Sequence, residues 1–163
     1  NATRILKNLE MYTNRFMDNE TVYYLNKRGR ELVGCEKVVT KTIQHQHTLM
    51  RNDIYIHFNM PKHWMNEYVI PAKEFKITVD AVFQAGKEVY FLEVDNMQKM
   101  KENYAKIDKY KKFKDTGLWQ QANNGHFPTL LFYTTKDSRQ NQLKEYCKQK
   151  ELKHLIYTKE DLN

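Results

Sequence analysis

The sequence predicts a mixed β-sheet flanked by helices, an α/β (α+β) fold. Three observations predict it. Two apolar runs, 75–83 and 88–95, alternate and are joined by a short link holding a glycine, the pattern of a β-hairpin. A long amphipathic stretch, 97–115, then leads to an apolar run, 128–135, the order of a helical crossover into a buried strand. A second helical stretch, 137–150, leads in the same way to a short last strand, 153–157. Hairpin-connected strands followed by crossover-connected ones make a mixed sheet with helices on both faces.

Residues 3–10 read as a short basic helix with Ile5, Leu6 and Leu9 inward. Residues 11–17 and 20–25 flank Asp18-Asn19, a tight-turn pair, and form a second hairpin candidate. Asn26 can cap a short helix, 27–33, that ends at Gly34. Helix, hairpin, helix is the order of the C-terminal part of a winged-helix DNA-binding module, here made basic by Arg4, Lys7, Arg15, Lys27, Arg28 and Arg30. The first two helices of such a module have no counterpart, so segment 3–34 is either a partial winged helix or a small structural cap. Residues 37–163 form the main domain. Asn1-Ala2 reads as an expression scar, which would make the chain a piece of something longer.

Residues 37–58 are mainly helical in pattern, with Val39, Ile43, Leu49 or Met50, and Ile54 near helical steps, and Pro61 stops them. Residues 64–70 read as a strand before Pro71. On the hairpin, Phe75, Ile77, Val79, Ala81 and Phe83 alternate with Lys76, Thr78, Asp80 and Val82. In the helix 97–115, Met97, Met100, Tyr104 and Ile107 form the core stripe, with Lys106, Tyr110 and Phe113 beside it, and Gly117 ends it. Residues 120–125 read as a polar loop, and the helix 137–150 turns Leu143, Tyr146 and Cys147 inward.

At 163 residues the chain fits one domain, or one domain with a small appendage, and can bury a real core without staples. Aromatic residues at 13% argue against disorder. A net charge of +7 and a pI of about 9.2 favour a polyanionic partner, nucleic acid first. No apolar run approaches the ~20 residues of a membrane span, and no signal peptide is visible. Cys35 and Cys147 are far apart with no CxxC, which reads as reduced thiols of a cytoplasmic protein. His45 and His47 lack further ligands at zinc spacing.

The hairpin carries three acids, Asp80, Glu93 and Asp95. With Ala85-Gly86 as the turn residues, Asp80 falls opposite Phe91, and Glu93 is its diagonal neighbour on the same face. Diagonal Cβ atoms in a hairpin lie roughly 7–8 Å apart, close enough for two carboxylates to share one divalent cation. Like charges on so apolar a hairpin repel. Mg²⁺ or Mn²⁺ relieves the repulsion, because hard cations take carboxylate oxygens. The plainer alternative puts the acids at the wet rim of the sheet, paired with lysines.

The order of elements, with acids on the second and third strands, resembles the core of the PD-(D/E)XK nuclease superfamily. Thr78-Val79-Asp80 stands where the superfamily has its Asp, and Glu93-Val94-Asp95 where it has Glu-x-Lys. The resemblance implies a metal-dependent endonuclease centre in which the lysine holds or activates the attacking water. Asp95 departs from that pattern: it cannot be the cation, though it could add a metal ligand. Some members carry the lysine on the following helix. That makes Lys106 the candidate here, with Tyr110 one turn on and facing the same way. Lys106 is also one of seven lysines between 99 and 114, with Glu102 four residues before it, so a solvated or phosphate-facing surface is the alternative.

A wider resemblance, over about residues 3–115, is to the plasmid replication-relaxation family. It rests on VYYLNKRGRELVG (22–34), His47-x4-Asn52-Asp53, Trp64-x2-Glu67, Val79-Asp80-Ala81, Glu93-Val94-Asp95 and Lys106-x3-Tyr110. It implies a winged-helix module followed by a nuclease-like domain. The catalytic candidates are then Asp80, Glu93, Asp95, Lys106 and Tyr110. The metal candidates for Mg²⁺ or Mn²⁺ are Asp80, Glu93 and Asp53, since the first helix of this fold can lend a polar residue. Asn52 and Asp53 can equally be a helix-end cap and a buried hydrogen-bond anchor. The DNA-binding candidates are Arg4, Lys7, Arg28, Arg30, Lys99, Lys109 and Lys112. Trp64 and the tyrosines either stack on bases or pack the core. Expected partners are plasmid DNA and other plasmid replication proteins, with no membrane and with a homodimer left open. Two functions follow: a protein that nicks DNA with a divalent metal, or an inactive DNA-binding accessory in which the acids are structural.

Overall fold

A computed structural model describes residues 1–39, 41, 44–72, 76–96 and 98–162. Ile43, Phe75 and Met97, all expected in the core, lie outside the described residues. The chain divides into two compact units, Asn1–His45 and Gln46–Asn163.

The first unit runs α1 (Ala2–Asn8), β1 (Thr13–Asp18), β2 (Glu20–Leu25) and α2 (Lys27–Val33). The hairpin turns tightly through Asn19, whose φ is 38°, between the paired Asp18 and Glu20. The Asn26 side chain accepts from the Gly29 amide at 2.9 Å and caps α2, and Gly34 ends that helix in the left-handed region at φ 65°. Gly29 is buried, and a Cβ there would overlap the Tyr12 carbonyl oxygen, so glycine is what lets α2 lie on the hairpin. No residue of α1 is buried, and Ile5 and Leu9 are exposed rather than inward.

The second unit holds α3 (His45–His57, whose first residue clusters with the first unit), β3 (Trp64–Pro71), β4 (Lys76–Ala85), β5 (Glu88–Asp95), α4 (Met100–Asp115), α5 (Leu118–Ala122), β6 (Thr129–Thr134), α6 (Asp137–Gln149) and β7 (His154–Tyr157). A 3-10 turn, Glu160–Leu162, follows. The sheet order is β3-β4-β5-β6-β7. The β3/β4 and β4/β5 pairs are antiparallel, and the β5/β6 and β6/β7 pairs are parallel. This is the expected mixed sheet. Every residue of β6 is buried, because both of its faces are covered. Met50 and Ile54 of α3 cover one face with Leu92, Val94, Leu131 and Tyr133. Ile107, Tyr110 and Phe113 of α4 cover the other with Phe91, Leu130, Phe132 and, from α6, Leu143 and Cys147.

Four further expectations need correcting. The helix expected over 37–58 is α3, His45–His57, and Val39 is exposed outside it. Residues 120–125 are not all loop, since α5 begins after Gly117. Of the expected α4 stripe Ile107 is buried, but Met100 and Tyr104 are only half-buried, and the stripe is completed by Asn103, Tyr110 and Phe113. The hairpin turns at Gly86-Lys87, so Ala85 faces Glu88 and Phe91 faces Val82, not Asp80.

The last correction has a companion in β4. Ile77 and Val79 point to the α4 side, but Ala81 and Phe83 point to the α3 side. The strand changes face at Asp80. In β3, Tyr68 and Trp64 change face with it. Between them lies Glu67, with a positive φ of 53°, and the β3/β4 ladder omits the Glu67/Asp80 pair. The β4/β5 ladder stops at Ala81↔Leu92, one pair short of Asp80 and Glu93. Both ladders therefore open at Asp80.

Candidate functional site

Where the ladders open, side chains replace the missing backbone bonds. The Val94 amide donates to Asp80 Oδ2 at 2.7 Å, and His47 Nε2 of α3 lies 3.2 Å from the same oxygen. Asp80 Oδ1 takes no hydrogen bond among the described residues. Burial by itself would raise the Asp80 carboxyl. The His47 hydrogen bond, the Lys106 charge and the Val94 amide outweigh burial and hold it below its ordinary value.

Glu93 is fully enclosed on the α4 side. Lys106 Nζ donates to one carboxylate oxygen and the Tyr110 hydroxyl to the other. The spacing of four places both donors on one face of α4. Burial dominates and pushes Glu93 up to about 8, with Asp80 adding repulsion, while Lys106 and Tyr110 work against the rise. Burial would lower Lys106, but Glu93 and Asp80 raise it above its ordinary value. Both shifts are upward but bear oppositely on the pair: Glu93's makes its charged form costly, and Lys106's makes its charged form favourable. The Lys106 side chain keeps 29% of its exposure and hence its charge, whereas Glu93 keeps 2% and bears the desolvation. Tyr110 is held well above 10 by burial and by Glu93, so it acts here as a hydrogen-bond donor.

Asp95 belongs to a different arrangement. Arg139 of α6 grips it with two bonds of 2.7 Å, and Thr134 donates a third at 2.7 Å. Burial opposes ionisation, but Arg139, Asn103 and Thr134 together hold Asp95 below its ordinary value. Arg139 also bonds the Gln98 carbonyl at 2.6 Å, and the Gln98 side chain donates to Asn103. Asp95 therefore ties β5, the start of α4 and α6 together.

Asp53 accepts from the Tyr133 hydroxyl at 3.4 Å. It lies six residues along α3 from His47, roughly 9 Å at the helical rise. Trp64 stacks on Phe83 at 4.8 Å and bonds Asn66, so it packs the core. His45 meets Asp18 and His47 meets Asp80, so the histidine pair serves two separate contacts. Arg4, Lys7, Arg28, Lys99, Lys109 and Lys112 are exposed, while Arg30 is half-buried and donates to the Leu25 carbonyl. Cys35 and Cys147 are free thiols. No described helix is long and apolar enough to cross a membrane.

Sequence reasoning missed the His47 bond to Asp80 and the Arg139 grip on Asp95. The His47 spacing was visible without its target. Arg139 carries no local signal at all, since its partner is 44 residues away.

Hard divalent cations take carboxylate oxygens, and the two nearest here are Asp80, which feels Lys106 only through its charge, and Glu93, to which Lys106 donates. An ion there would take Asp80 and Glu93 and would compete with Lys106. Asp95 has no free oxygen to offer. Among the described residues, no group of three or more acids, histidines or cysteines forms a ready-made metal site.

The sequence model of the replication-relaxation family matches residues 1–130, a span that includes Asp80, Glu93, Lys106 and Tyr110 and leaves out Arg139. No curated protein matches the chain.

Proposed function

The chain belongs to the replication-relaxation family, and from that premise we propose that it nicks plasmid DNA at the Asp80, Glu93 and Lys106 cluster. Family membership points to a role in plasmid replication or relaxation. The observation that supports cleavage is the convergence of two carboxylates and one ammonium where both ladders open. A buried Glu93 beside a half-buried Asp80 at a strand irregularity costs stability, and a reacting site explains why that cost is carried.

Asp80 and Glu93 would hold Mg²⁺ or Mn²⁺, which when bound polarises the phosphate and lowers the pKa of attacking water. His47 and the Val94 amide fix the Asp80 carboxylate in one orientation, leaving Oδ1 to face the ligand. Tyr110 fixes Glu93 in the same way. Lys106 brings a positive charge to the position where charge develops on the phosphate. The exposed Lys99, Lys109 and Lys112 would grip the backbone, and α1, the small hairpin and α2 would act as a partial winged helix with Arg4, Lys7, Arg28 and Arg30. This reading places the protein in the cytoplasm with plasmid DNA and other replication proteins.

A second reading has a specific observation in its favour. Both oxygens of Glu93 and of Asp95 are already satisfied internally, as in a DNA-binding accessory whose acids are structural. Supercoiled plasmid incubated with the protein and Mn²⁺ separates the two. Open circles formed by wild type and lost in Asp80→Ala and Glu93→Ala support cleavage. No nicking by wild type, or equal nicking by both variants, supports the accessory.

A further inference from the structure

Arg51 of α3 is 5% exposed, yet among the described residues its guanidinium makes a single hydrogen bond, 3.4 Å long, to Glu67. Its Nε is buried and has no partner among the described residues. A guanidinium carries five donors in a planar fork, and an enclosed cation is normally paired and hydrogen-bonded in full. Glu67 is a poor counter-ion, since its side chain is 63% exposed and the contact is long. Arg51 thus carries a buried charge that the described residues leave largely uncompensated.

Its place in the fold says what would compensate it. Arg51 lies four residues after His47, on the same face of α3. His47 meets Asp80, and Arg51 meets Glu67, the residue that stands across from Asp80 where the β3/β4 ladder is interrupted. One helical turn, about 5.4 Å, separates the residue that orients Asp80 from the under-used guanidinium. An oxyanion is the chemistry a planar fork of donors takes best, in bidentate fashion.

We propose that Arg51 is an anion-binding residue that receives a DNA backbone phosphate next to the Asp80 and Glu93 cluster. This rests on the reading of that cluster as a DNA-processing centre and adds a contact to it. Binding exchanges the weak Glu67 bond for charge-assisted bonds to phosphate oxygens. Arg51 serves here as a positioning residue that sets which phosphate faces the acids.

Arg51→Met tests this, with Arg51→Lys as a companion that keeps the charge but loses the fork. Each is examined by thermal melting of the free protein and by titration of a fluorescent single-stranded oligonucleotide at low salt. Arg51→Met is expected to melt at or above the wild-type temperature, because a poorly paired buried charge has been removed. Its affinity for the oligonucleotide should fall about tenfold, the worth of one charge-assisted contact, with Arg51→Lys in between. A structural arginine behaves otherwise: a lower melting temperature in Arg51→Met with wild-type affinity overturns the proposal, and if Arg51→Met does not fold, wild-type affinity in Arg51→Lys does so. Wild-type protein that binds no oligonucleotide at low salt overturns the DNA reading itself, which is a different result from equal binding by wild type and variant.

Discussion

The Lys106 ammonium donates to the Glu93 carboxylate from a helix that starts only after the strand bearing Glu93 has ended. The bond encloses a carboxyl that burial has pushed up to about 8. A carboxyl raised on folding binds its proton more tightly in the folded state. The stability this contributes is complete below the ordinary value of 4.5 and is lost as pH rises through about 8. Asp80 and Asp95 are lowered, so their contribution has the opposite sense and is lost as pH falls below the ordinary value of 3.8. The wild-type melting temperature is therefore expected to fall between about pH 4.5 and pH 8, and Glu93→Gln to be flatter over that range. Thermal melts across the range check it, and parallel profiles for the two proteins would contradict it.

The Arg139 grip on Asp95 makes a separate prediction. The Asp95 side chain is 0% exposed and Arg139 17%. Arg139→Met leaves a buried carboxylate without its counter-ion, which costs about 3–5 kcal/mol. Asp95→Asn combined with Arg139→Met should cost clearly less than the two single changes added together. Denaturant unfolding of the three variants measures this. Additive losses would mean the pair does not act as a unit.

DNA contact by α4 predicts a salt effect. Lys99, Lys109 and Lys112 are exposed, whereas Lys106, Lys111 and Lys114 have partners within the fold. Each phosphate contact steepens the log-log dependence of affinity on salt by about 0.9. Replacing the three exposed lysines by Glu should flatten that slope by about two to three. Replacing Lys148, Lys150 and Lys153 should change it less. Equal effects from the two sets would remove α4 as the DNA-facing helix.

The hairpin, its acids and the following helix were legible because period-two and helical patterns run through them. The register was misread by two residues, since Gly86-Lys87 forms the turn rather than Ala85-Gly86. A shift of two keeps every side chain on its face, and it sets Asp80 level with Glu93, one step past the Ala81↔Leu92 pair. The change of face at Asp80 was invisible, because the apolar alternation from Ile77 to Phe83 continues through it. It coincides with Glu67 of the neighbouring strand, whose φ is 53°. Arg139 was illegible for the same reason, since its reach to Asp95 is a property of the packed α6 and not of its own neighbourhood. Asn26 and Gly34, by contrast, act within their own turns, and both helix ends were read correctly.

The most direct test compares two lysines of one helix. Lys106 joins the acid cluster, and Lys109 is exposed three residues on. Plasmid nicking in Mn²⁺ is measured for Lys106→Ala and Lys109→Ala at DNA concentrations that saturate each protein. Lys106→Ala is expected to lose at least about a hundredfold in rate, as removal of a positioned catalytic group does, while Lys109→Ala cleaves at the wild-type rate once saturated. Equal rates for the two variants would contradict a cleavage centre built on Lys106.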